Sequence, residues 1–110
     1  MSMLVVTTLE VPGKRIKDCK GLVRGITVRA PHLGQSFLAG LRGISGGRVG
    51  SLVTVCETAR EEALVQMIQH AQSLGANAVV GLRYDSGEVG TSGFAEVLAY
   101  GTAVVVEPLA

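Results

Sequence analysis

An α+β subunit is the fold class predicted by this sequence, with a sheet of antiparallel type packed on a long helix and elements in the order β-β-α-α-β-β. Three observations predict it. Apolar residues recur with a helical repeat between Ser51 and Leu74, runs rich in β-branched residues flank that stretch on both sides, and 47% of the 110 residues are apolar while 17% are charged. This length suits one hydrophobic core, so residues 1–110 read as a single domain without linker or repeat. The apolar share places the chain among those that fold, because disordered segments lack the apolar surface that offsets ordering entropy.

Leu4 to Thr8 reads as extended, and Pro12-Gly13 supplies turn residues after it, which predicts a first hairpin. From Ile16 onward, Ile16, Leu22, Ile26 and Val28 fall at even positions, interleaved with Asp18, Lys20 and Arg24, the pattern of a strand that is only partly covered. Gly21 and Gly25 mark bends or bulges in it. After Pro31, Phe37, Leu38, Leu41 and Ile44 recur at the spacing of a short amphipathic helix, ended by Gly43, Gly46 and Gly47.

The long helix follows, with Leu52, Cys56, Ala59, Ala63, Met67, Ala71 and Leu74 on one stripe and Gly75 closing it. Leu64 and Ile68 project to another side of that helix. A second apolar face predicts contact with a neighbouring subunit, since such a face left in water promotes aggregation. Ala78 to Tyr84 then reads as a strand, Gly87, Gly90 and Gly93 as a loop, and Phe94 to Glu107 as a final strand. The last strand is apolar on both faces, with Ala95, Val97, Ala99, Ala103 and Val105 in one row and Phe94, Leu98, Tyr100, Val104 and Val106 in the other. This again favours assembly, so the chain's expected partner is itself.

Ten Lys and Arg against nine Asp and Glu leave a net charge of +1, too little to draw phosphate backbones or an anionic membrane, so neither nucleic acid nor membrane is an expected partner. The apolar runs are too short for a span and no signal-like segment opens the chain, which places it in the cytoplasm. Aromatic residues make up only 4%, a thin supply for stacking on bases or sugars.

Gly43-Ile44-Ser45-Gly46-Gly47-Arg48-Val49-Gly50 precedes the long helix, where glycines let backbone N–H groups and the positive helix end approach an anion. It matches neither the P-loop nor the dinucleotide fingerprint, and a plain helix-to-helix turn explains the same glycines. Arg42 and Arg48 flank the loop and are the candidate clamp for a carboxylate or phosphate, together with Gly46 and Gly47. Cys19 and Cys56 are the candidate metal ligands, although no Cys-x-x-Cys or His-x-x-x-His spacing prearranges them and buried apolar thiols are the simpler reading. Cys56 and His70 share a stripe but stand about 21 Å apart along the axis. Glu57, Glu61 and Glu62 near Arg60 read as a solvated helical face, and neither His32 nor His70 sits in a catalytic motif.

Several segments in order, Phe37-Leu38-Ala39-Gly40-Leu41-Arg42, Gly46-Gly47-Arg48, Ala59-Arg60-Glu61, Leu74-Gly75-Ala76-Asn77-Ala78-Val79-Val80-Gly81 and Gly101-Thr102-Ala103-Val104, resemble the YbjQ-like family over nearly the whole chain. That resemblance implies a subunit similar to dodecin-type subunits, a ring-shaped homopentamer, and a family label of heavy-metal binding without an established activity. The family commonly carries a Tyr-Glu pair after Gly-Gly-Arg, where Leu52-Val53 stands here, so an aromatic and a carboxylate are missing from any site that pair serves. The expected function is a non-enzymatic homo-oligomer that binds a metal or metalloid ion or a small anion at surfaces between subunits. The rival readings are a structural assembly without ligand and, third, an enzyme with an inter-subunit active site.

Overall fold

The computed structural model describes residues 3–29, 49–89 and 94–109. They form β1 (Leu4–Val5), β2 (Lys14–Arg29), α1 (Val49–Ser73), β3 (Ala78–Val89) and β4 (Phe94–Pro108). The short helix expected around Phe37 to Ile44 lies outside the described residues. The sheet order is β1-β3-β4-β2, with β4 antiparallel to both β2 and β3 and β1 parallel to β3. The α+β class holds, and the sheet is mixed rather than wholly antiparallel.

The expected first hairpin is not formed, since β1 and β2 stand at opposite edges of the sheet. Val6 N–H donates to Val79 O, which ties the N-terminal segment to β3. The chain then crosses the face opposite the helix, where Val6 and Val11 pack on Ala78, Val80, Val104 and Val106. The turn residues act as read: Gly13 has φ +79° and Lys14 N–H donates to Val11 O, a turn that feeds the crossing segment into β2.

α1 ends as its sequence dictates. Gly75 takes φ +82°, its N–H donates to Gln72 O and the Ala76 N–H to Ala71 O, the paired bonds of a Schellman cap. Ala59, Ala63, Met67 and Ala71 of the expected stripe are buried against the sheet. Leu64 and Ile68, expected to face a neighbouring subunit, are half-buried at the margin of the chain's own core. That core is built from small side chains: Val23, Ala63, Met67, Ala71, Ala76, Val79, Ala99 and Ala103. Small residues let the helix lie low on the sheet, and among the described residues Met67 is the largest side chain that is fully buried.

The closest approach is at Gly25, where an added Cβ would meet Ala63 O and would stand 2.5 Å from Met67 N. β2 therefore turns Val23, Gly25 and Thr27 toward the helix and leaves Leu22, Ile26 and Val28 exposed on the other face. The partial cover expected of this strand is real, and the larger apolar side chains are on the uncovered face. The Cα radius of gyration is 17.3 Å and the principal extents are 57 × 28 × 21 Å. A compact chain of 100 residues has a radius of about 13 Å, so this chain is elongated.

Candidate functional site

Of the residues singled out by sequence, Arg42, Gly46, Gly47 and Arg48 lie outside the described residues. Cys19 and Cys56 are described, and both are free and exposed, which corrects the expectation of buried thiols. Arg24 is bonded by His70 and Ile26 by Gln66, so α1 and β2 run in opposite directions. Measured from that contact, Cys56 lies about 21 Å toward one end of the molecule. Cys19 lies about 16 Å toward the other. One chain cannot bring the two thiols to one metal ion.

Among the described residues no group of three or more His, Cys, Asp and Glu could hold a metal ion. Cys19 sits beside a β-bulge at Lys20, whose ammonium pairs with Asp18 at 3.0 Å. The hydrogen bond from Lys20 and its charge hold the exposed Asp18 carboxyl below the ordinary range. Glu57, Arg60, Glu61 and Glu62 are exposed, as expected of a solvated helical face. That face has a feature that spacing within the helix could not reveal: Arg60 stands over the Tyr84 ring of β3, 5.9 Å from its centroid. Burial raises the Tyr84 pKa, the Glu61 carboxylate raises it further, and Arg60 opposes both.

The Leu-Gly-Ala-Asn-Ala-Val-Val-Gly segment is structural throughout. Gly75 caps α1, Ala76 and Ala78 are buried, and the Asn77 side chain donates to Val106 O at 3.0 Å and accepts from Val106 N–H at 2.8 Å. Gly81 takes φ +66° against Leu9. Gly101 has no room for a side chain, since a Cβ would lie 2.7 Å from Val79 Cγ1. These residues fix how the helix returns into the sheet, and none offers a ligand atom.

What the described residues do offer is a surface. On the face opposite α1, Leu22, Ile26 and Val28 are 62%, 44% and 51% exposed. The register places Ile26 beside Leu98, and Arg24 beside Tyr100, with Leu98 and Tyr100 only half-buried. Arg83 and Asp85 of β3 continue these rows as an exposed polar margin. The Arg83 guanidinium donates to Thr7 O at 3.1 Å and Leu82 O at 2.9 Å, which anchors the N-terminal crossing. The crossing covers only the lower end of this face, and the apolar row above it has no cover among the described residues.

A family model described as "Putative heavy-metal-binding", that of the YbjQ family, matches residues 3–107. A UPF0145 protein of Legionella pneumophila is 50% identical over 106 residues, 96% of this chain and 100% of that relative. One from Pyrococcus furiosus is 54% identical over 105 residues, 96% of this chain and 91% of that relative. A crystal structure of a DUF74-family protein of unknown function from Pediococcus pentosaceus superposes with a TM-score of 0.62 at 18% identity, covering 96% of this chain and 98% of that one. At that identity the likeness concerns the fold alone.

Proposed function

Since the chain belongs to the YbjQ family, we propose that it is a non-enzymatic homo-oligomer, a pentameric ring on the family resemblance, that binds a metal or metalloid ion or a small anion between its copies. The observation that carries this reading is the apolar row Leu22, Ile26 and Val28 left exposed on a sheet face. An elongated subunit with a core of small residues supports it, because assembly would add the burial that one chain lacks. The separation of the two thiols supports a ligand shell drawn from more than one copy. Arg42 and Arg48 with Gly46 and Gly47 are the proposed anion contacts, and Cys19 and Cys56 the proposed soft-metal contacts.

Equilibrium dialysis against cadmium, arsenite and phosphate tests this. Cadmium or arsenite uptake that the Cys19→Ser/Cys56→Ser double variant abolishes supports the thiol site, whereas full uptake by that variant removes it. Phosphate binding that Arg42→Ala or Arg48→Ala weakens supports the arginine clamp, and unchanged affinity in both removes it. A bound ligand at a hundred times its Kd raises stability by about 2.7 kcal/mol, so each positive result must appear also as a higher melting temperature. The specific observation that favours a ligand-free structural assembly is the lack of a three-ligand metal group among the described residues. That second reading predicts no uptake and no thermal shift with any of the three.

A further inference from the structure

β2 is an edge strand, and such strands ordinarily leave a row of backbone N–H groups to solvent. Two of them are taken here by side chains of α1: Arg24 N–H donates to His70 Nδ1 at 3.3 Å, and Ile26 N–H donates to Gln66 Oε1 at 3.2 Å. The two acceptors are one helical turn apart and straddle Gly25, where the helix backbone meets the strand. An added Cβ at Gly25 would stand 2.8 Å from Gln66 Cβ, so a larger residue there would crowd the Gln66 acceptor.

The two halves of this clamp differ in chemistry. The Gln66 carbonyl accepts at any pH. An imidazole nitrogen accepts only while it carries no proton, because imidazolium has two donors and no acceptor. We propose that His70 makes the clamp between α1 and the edge strand responsive to pH: a solvent proton taken up at Nδ1 turns the acceptor into a donor, frees the Arg24 N–H and leaves that stretch of β2 held by Gln66 alone. The charged groups on the strand beside His70 are Arg24 and, further along, Lys20 paired with Asp18. On α1 the nearest charged residue is Glu62, about 12 Å away along the axis. No carboxylate of α1 is therefore near enough to give the imidazolium a replacement ion pair.

Amide hydrogen exchange followed by NMR on the whole protein tests this, with rates corrected for intrinsic exchange and compared at about pH 8 and about pH 5.5. The protection of the Arg24 amide relative to that of Ile26 falls roughly fivefold on acidification, the factor one hydrogen bond of ordinary net strength supports. In His70→Gln, which keeps an acceptor without a titrating proton, the ratio stays constant. A constant ratio in the unmodified protein, or the same fall in His70→Gln, overturns the proposal. The comparison reads two amides of one strand, so its outcome is independent of whether the protein binds a ligand.

Discussion

Gly25 and Thr27 show at the scale of single residues how closely α1 is fitted to β2. Gly25→Ala would put a methyl into the backbone of Ala63 and Met67 rather than against the end of a flexible side chain. It is expected to lower stability by at least about 1–3 kcal/mol, the usual range for overpacking, read from urea unfolding. Thr27 behaves oppositely: it is 7% exposed and its Oγ1 has no hydrogen-bond partner among the described residues. Replacing a buried, unpaired hydroxyl by a methyl of the same shape removes a desolvation cost, so Thr27→Val should stabilise the protein by about 1 kcal/mol. A loss of stability instead would show that the hydroxyl is bonded. Neither expectation is legible in the sequence, where Gly25 reads as a bend or bulge, because both depend on which helix residues lie opposite.

Asn77 does at the scale of elements what a strand residue would do, joining the exit of α1 to β4 through the Val106 amide and carbonyl. Asn77→Ala leaves both Val106 groups without that partner and is expected to cost about 1–3 kcal/mol, measurable as a lower denaturant midpoint. The elements set by local chemistry were the legible ones. The long helix follows from a repeat that is local in sequence, its end from Gly75, and the last two strands from β-branched runs. The first hairpin was misread because Leu4 pairs with Ala78, far along the chain, and no local pattern names a distant partner. Cys56 is exposed although it shares the stripe, since a helical repeat says which face is apolar and not what covers each position on it. The arginine-glycine candidates, Arg42, Gly46, Gly47 and Arg48, lie outside the described residues, so the structure leaves them as the sequence did.

The whole molecule combines an elongated shape with an apolar row on one sheet face and two exposed thiols displaced in opposite directions along it. No helix among the described residues is long and apolar enough to cross a membrane. A core made mostly of alanine and valine limits what one chain can bury, and burial scales with apolar area at about 25 cal/mol per Å². Leu64 and Ile68, from which the sequence predicts assembly, lie at the margin of the chain's own core. Leu22, Ile26 and Val28, on a strand whose sequence pattern predicts only partial cover, are the exposed apolar residues that support assembly. Native mass spectrometry of untagged protein, with elemental analysis of the same sample, tests the proposal most directly. A closed homo-oligomer is expected, a pentamer on the family resemblance, with any retained ion in fixed ratio to its copies. An 11.4 kDa monomer as the sole species would contradict it.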